Sequence, residues 1–214
     1  SPIIRFFMFE GVPFETIILI LILPIIATLI AFLRQVVGIK AFGLYTPLII
    51  TFAFLATNGV KYGIVIFVAV ILSGMVMRFL LKPFRLLYLP RVAIMVTMVA
   101  LIILVMLTLG GSLQRTGLAA VSIFPILIMI TLVEKFITVQ IEKGTKTAVI
   151  LAVETLIISV IGYYLASWGA LIRTLAVYPW VVLFAIPANI LLGKWTGLRL
   201  KELFRFKEVL KKLN

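Results

Sequence analysis

The chain contains no cysteine and no histidine, and aspartate is equally missing. Without cysteine it can form neither a disulfide nor a thiolate metal site. A zinc metalloprotease needs a ligand set such as H-E-x-x-H, a Ser-His dyad needs its histidine, and an intramembrane aspartyl protease needs two aspartates, so all three are excluded. Acid is scarce as well. All seven carboxylates are glutamates, and Glu10, Glu15, Glu142, Glu202 and Glu208 fall near expected span ends or in the tail. That leaves little for the metal or base work of phosphoryl or glycosyl transfer. No hydroxyl and lysine stand together at membrane depth as a Ser-Lys dyad would require. The chain is therefore read as a non-enzyme with no cofactor and no metal.

Charged residues make up only 13% of the 214 residues while 64% are hydrophobic, with a mean hydropathy of +1.30. A soluble domain is roughly half apolar. The few charges cut the chain into uncharged runs: Ile17 to Leu33, Ala41 to Val60, Tyr62 to Met77, Val92 to Gln114, Thr116 to Val133 and Thr174 to Gly193, with Thr147 to Ile172 broken only by Glu154. A hydrocarbon core of about 30 Å takes about 20 helical residues, so each run crosses or nearly crosses a bilayer. The expected fold is an all-α membrane protein with seven transmembrane helices. Its spans fall at about 14–33, 41–60, 62–81, 92–113, 117–140, 147–168 and 174–193 within a domain over 1–197, and a cytoplasmic amphipathic basic helix follows over 198–214. A β-barrel strand would alternate apolar and polar residues, and "VAIMVTMVALIILVMLTL" is continuously apolar, which excludes that class.

Basic residues near span ends set the orientation. The segment before span 1 and the loops after spans 2, 4 and 6 hold only Arg5, Lys61, Arg115 and Arg173, and the remaining 16 of the 20 basic residues lie on the opposite side. The N-terminus is expected outside and the C-terminus in the cytoplasm. Topology and attraction to anionic lipids on the cytoplasmic face account for the formal net charge of +13, so nucleic acid is not an expected partner. In the tail, Leu203, Phe206, Leu210 and Leu213 share one face, and Arg205, Lys207, Lys211 and Lys212 surround the other. That is the pattern of an interfacial helix whose cations meet lipid headgroups. The chain lacks an initiator Met and a cleavable signal yet begins outside, so it is expected to be the C-terminal membrane part of something longer. Seven spans with an outside N-terminus also describe rhodopsin-like receptors. A retinal lysine would stand mid-span 7, however, whereas Lys194 lies at its cytoplasmic end, and span 3 closes on "GMVMRFLLKPF" with no acidic-Arg-aromatic triplet.

Polar and helix-breaking residues inside the spans mark candidate sites. Glu154 comes early in span 6, at about 12 Å of helical rise. A carboxylate at that depth must be protonated, paired or beside water. Glu134 closes the apolar run of span 5, with Thr131 one turn earlier. Span 2, "AFGLYTPLIITFAFLATNG", interrupts a short apolar run with Gly43, Tyr45, Thr46 and Pro47, and Pro125 interrupts span 5. Glu154, Glu134, Thr131, Tyr45 and Thr46 are the candidate substrate- or proton-binding residues, with Gly43, Pro47 and Pro125 as helix-break positions. Two plainer readings stay open: a neutral Glu154 bonded to a neighbouring helix, and prolines that merely kink lipid-facing helices.

An internal repeat organises these features. Placing Pro47 beside Pro125 aligns "YTPLIITFAFLA" with "IFPILIMITLVE", and "GVKYGIVIFVAV" (59 to 70) aligns with "GTKTAVILAVET" (144 to 155), at offsets of 78 and then 85 residues. Spans 2 and 5 cross in opposite directions, so spans 2–4 and 5–7 read as inverted repeats with span 1 as an extra helix. In inverted-repeat transporters, Gly/Pro-interrupted segments at matching positions point to the binding site.

"GVPFET", "LPIIATLIAFLRQVVGIKAFGLYTP", "PRVAI" and "EKFITVQ" resemble the bacterial seven-helix membrane domain usually found fused behind an inactive transglutaminase-like domain. The likeness covers nearly the whole chain, with Arg34, Gly38, Gly43, Tyr45 and Pro47 as motif positions. It implies an upstream extracytoplasmic domain, a location in the bacterial cytoplasmic (inner) membrane, and an ATP-grasp ligase as partner. Through a weaker likeness to the small membrane subunit of poly-gamma-glutamate synthase, it also implies a part in peptide or polymer synthesis and export. It carries over no catalytic residue. Three functions are therefore expected: a transport or export module with its site between spans 2, 5 and 6; a non-transporting scaffold that anchors the outer domain and recruits the ligase; or a sensory receptor.

Overall fold

A computed structural model of the chain describes residues 1–56, 60–81, 88–112 and 123–194. All regular structure among these residues is helical. The elements are α1 (Pro2–Phe9), α2 (Phe14–Phe32) continued by a π-helical turn (Leu33–Val37), α3 (Tyr45–Ala56), α4 (Val60–Leu81), α5 (Tyr88–Ser112), α6 (Ile123–Lys143), α7 (Thr145–Ala166), α8 (Gly169–Val177), a 3₁₀ segment (Pro179–Phe184) and α9 (Ala185–Gly193). They divide into two compact units, one made of Ser1–Leu48 with Tyr164–Asn214 and the other of Ile49–Tyr163. Phe14–Val37 and α7 are each long and apolar enough to cross a membrane.

In the first unit α2 is the central post. Its buried Ile18, Ile22, Ile26 and Ile30 recur every fourth residue, so they stack into one ridge, and α2 packs with α1, α8, the 3₁₀ segment and α9. Pro24 lies inside this helix and supplies no N–H to the preceding turn. A side-chain relay follows it: the Thr28 hydroxyl donates to the Pro24 carbonyl at 2.8 Å, and Asn189 Nδ2 on α9 donates to Thr28 Oγ1 at 2.7 Å and to the Ala185 carbonyl at 2.8 Å. The π turn then ends on Gly38, at φ +87°, whose N–H and that of Ile39 both reach the Leu33 carbonyl. Glycine occupies this left-handed conformation without the Cβ clash that other residues incur.

The segment expected as one span over 174–193 is not one helix. It breaks at Tyr178 (φ −124°, ψ 71°) between α8 and Pro179, and Gly169–Val177 and Pro179–Gly193 meet at 106°, as a broken span or a re-entrant loop. The cause is local. A residue before proline is pushed out of the α region, and proline cannot donate back into the helix. Exposed rings of Tyr178, Trp180 and Phe184 pack in sequence at this elbow, with centroids 6.1 and 6.0 Å apart.

The second unit holds the remainder of α3 with α4, α5, α6 and nearly all of α7, and α4, α5 and α6 pack against one another. The expected span over 41–60 opens with non-helical chain and becomes helical from Tyr45. Close approach of its neighbours rests on small residues. The Phe54 ring of α3 lies directly on Gly63 of α4, and Gly74 of α4 faces Val133, Phe136 and Ile137 of α6. On α7 the buried positions Ala148, Ala152, Thr155, Ser159, Gly162 and Ala166 make the small-residue stripe that lets membrane helices meet closely. Gly144, at φ +84°, turns the chain from α6 into α7, and Gln140 Nε2 donates across that turn to Thr145 Oγ1 at 3.3 Å.

Candidate functional site

In the first unit, the chain from the π turn to the start of α3 gathers the motif positions. Arg34 is half-buried in the π turn, Gly38 closes it, and Lys40 is exposed. Ala41 and Phe42 are buried although their backbone is irregular. Gly43 adopts φ +78° and donates its N–H to the Ala41 carbonyl at 2.7 Å. Tyr45 then opens α3 with its side chain 69% exposed, while Thr46 behind it is buried. Pro47 is the third residue of α3, and Pro125 is the third residue of α6. Pro47 stands where the backbone N–H has no helical acceptor in any case, just after non-helical chain, so it lies at the start of α3; the residues immediately before α6, which carries Pro125, lie outside the described ones.

In the second unit, the fully buried polar contact is made by residues other than the acids. The Thr51 hydroxyl of α3 donates to the Ser159 carbonyl of α7 at 3.2 Å, the Ser159 hydroxyl donates to the Thr155 carbonyl at 2.8 Å, and the Thr155 hydroxyl to the Leu151 carbonyl at 2.6 Å. All three side chains have no exposed area. Each hydroxyl is thus satisfied by backbone, as burial in an apolar chain demands.

Glu154 sits one residue before Thr155 but turns the other way. It is half-buried in a row with exposed Ile150, Ile157 and Ile161, at steps of three and four. Thr131 and Glu134 are exposed on α6, opposite a buried face of Leu132, Val133, Phe136 and Ile137. Thr131 donates its hydroxyl to the Ile128 carbonyl, and the Thr138 hydroxyl bonds the Glu134 carbonyl. Tyr45 and Thr46 belong to the first unit, and Glu134, Thr131 and Glu154 to the second. The tail cations Arg205, Lys207, Lys211 and Lys212 lie outside the described residues. Sequence reasoning passed over Thr51, Thr155 and Ser159. The available signal was two hydroxyls four residues apart within a stripe of Ala and Gly, a pattern that marks a helix-contact face in membranes.

Among the described residues no group of three or more acidic side chains is arranged to hold a metal. Residues 9–210 match a family model described as 7 transmembrane helices usually fused to an inactive transglutaminase. No curated protein and no solved structure matches the chain.

Proposed function

The chain belongs to the family of seven transmembrane helices usually fused to an inactive transglutaminase, and from that premise we propose that this multi-pass membrane protein is a transport or export module of a peptide- or polymer-forming system. Its site lies in the second unit where α3 and α7 meet, and it works without chemistry of its own. The observation that carries this reading is the buried hydroxyl seam of Thr51, Ser159 and Thr155. Ser and Thr hydroxyls make membrane helix contacts in their own right, and at an interhelical seam they also offer replaceable hydrogen bonds to a polar solute. Discontinuous membrane helices are where transporters hold their substrates, and the first unit has one of its own at the Tyr178 elbow. The membrane is the bacterial inner membrane, and an ATP-grasp ligase delivers the product from the cytoplasmic side.

Cells producing the full-length protein with its ligase and fed labelled glutamate test this directly. Labelled oligomer outside the cells is expected, falling to background when the membrane protein is omitted; equal export without it would sink the proposal. The basic cytoplasmic loops and tail favour a second reading, a scaffold that recruits the ligase. Under it, removing Arg199 to Asn214 releases the ligase, and unchanged co-purification would count against it.

A further inference from the structure

Two helices of the first unit are too short to cross a bilayer. α1 has 8 residues and α8 has 9, which at helical rise makes about 12 and 14 Å against a hydrocarbon core of about 30 Å. Both are held at one end of α2. A turn on Gly11, at φ +86°, closes α1, with the Val12 N–H on the Phe7 carbonyl at 3.0 Å and the Gly11 N–H on the Met8 carbonyl at 3.1 Å. Extended Pro13 (ψ 139°) then leads into α2 at Phe14. At the far end of α1, Ser1 N meets the carbonyl of Ala176, in the last turn of α8, at 3.0 Å. α1 therefore stretches between the start of α2 and the Tyr178 elbow.

A second contact agrees with that level. Asn189 meets Thr28, about 21 Å along α2 from Phe14, and Pro179 stands about 18 Å before Asn189 along its own segment. Because the Ser1 contact brings the elbow to the Phe14 end, Pro179–Gly193 runs beside α2 in the same direction, packed against it. α8, bent from that segment by 106°, lies crosswise.

The two short helices present different surfaces. On α1 Ile4 is buried, while Phe6 (61% exposed), Phe9 (89% exposed), Ile3, Phe7 and Met8 face outward with the helix's one cation, Arg5. An apolar surface of this kind is not left to water. It is followed along the chain by exposed Phe14, Leu19, Ile20 and Leu23 of α2, a helix long and apolar enough to cross lipid. α8 is the reverse: Leu175 is fully buried, Leu171 and Ile172 are half-buried, and Arg173 and Thr174 are exposed. Exposed Trp168, Tyr178 and Trp180 flank it, and such rings gather where membrane meets water.

We propose that α1 and α8 form a collar whose partner is the phospholipid leaflet at the Phe14 end of α2. α1 lays its ring-bearing face among the upper acyl chains, and α8 lies at the water boundary with its polar face outward. Arg5 and Arg173 reach the phosphate plane. The crossing that follows is then Pro179–Gly193 alone, and the collar holds the Thr28–Asn189 contact about 21 Å below the Phe14 level, since interfacial aromatic and arginine anchors set how a span stands in lipid.

Tryptophan depth tests this in the reconstituted chain, whose three tryptophans are Trp168, Trp180 and Trp195. One variant keeps Trp180 alone; Phe6→Trp and Phe9→Trp are each placed in a background with all three replaced by phenylalanine. Phosphatidylcholine vesicles carry bromine either high on the acyl chains or near their ends, and iodide probes from the water. In protein of native helix content, Trp180 and both α1 probes are expected to be quenched more by the high bromine than by the deep bromine or iodide. Stronger quenching of Trp180 by deep bromine would restore one continuous span over 174–193, in which Trp180 stands about 9 Å inside, and would overturn the collar. Stronger iodide quenching of both α1 probes would put α1 in water, and probes blind to bromine and iodide alike would put it against a second copy of the chain; either result also overturns the proposal.

Discussion

Gly63→Ala is the sharpest test of the packing that holds α3 against α4. A Cβ at Gly63 would press into Phe54 Cδ1 and come within 2.8 Å of Cε1. The ring has no room to retreat, because Phe54 is fully buried. Overpacking of a closed core costs about 1–3 kcal/mol. The offsetting gain in helix propensity from Gly to Ala is at most about 1 kcal/mol in a helix interior. The net loss is therefore about 1–2 kcal/mol, which in a protein of this size lowers Tm by about 2–8 °C. Gly74→Ala is the control. Its Cβ would meet Val133 at 3.4 Å and Phe136 at 3.5 Å, ordinary contact in a helix interior, so stability should stay level or rise by up to about 1 kcal/mol.

Thermal unfolding of the purified chain in detergent micelles, followed by tryptophan fluorescence, reads both variants. Trimming the obstructing ring as well, in Gly63→Ala with Phe54→Leu, should cost less than the two single losses added, because the two residues are in contact. Equal Tm for Gly63→Ala and the native chain, or strict additivity in the double variant, would refute the packing argument.

Three further outcomes follow from the polar contacts. Asn189→Leu removes the donor that ties α9 to Thr28 of α2 at 2.7 Å, and should cost about 0.6–1.7 kcal/mol, the range for interhelical hydrogen bonds in membranes, read as a lowered Tm. Thr51→Val should cost about 0.6 kcal/mol, while Ser159→Ala leaves that bond in place because its acceptor is the Ser159 backbone carbonyl; equal losses in the two variants would argue against the assigned geometry. Glu154→Gln should abolish labelled-glutamate export at unchanged Tm if the carboxylate serves the site, and a fully active variant would remove Glu154 from it.

Much of this arrangement was legible in composition, because helices that cross lipid must be long and apolar. Apolar helices stand where spans were expected at 62–81 and 147–168. The break at Tyr178 was within reach, since Pro179 forbids a helical residue before it, but a continuous apolar run concealed it. Orientation about each helix axis was not legible. In a chain that is apolar all round, hydrophobic periodicity no longer separates inside from outside, so the charged residue drew the eye to Glu154 while α7 turns Thr155 and Ser159 inward. The small residues carried that information instead.

The same point bears on why the internal repeat read from the sequence is faint in letters. What a close helix crossing constrains is volume at the contact and apolarity toward lipid, not identity. Gly63 and Ala148 are interchangeable in that sense, as are Gly74 and Ser159, and so are the exposed aliphatic pairs from Val65 with Ile150 to Val76 with Ile161. Selection for close approach keeps a residue small whichever small residue it is. Where α4 and α7 depart in chemistry on their buried faces, hydroxyls fall on both helices: Thr155 and Ser159 stand against Val70 and Gly74, and Ser73 stands against Ile158. Each of these hydroxyls donates to a carbonyl of its own helix, Ser73 to Val70, Thr155 to Leu151 and Ser159 to Thr155, so a hydroxyl can replace a small apolar side chain at a crossing without leaving a polar group unsatisfied.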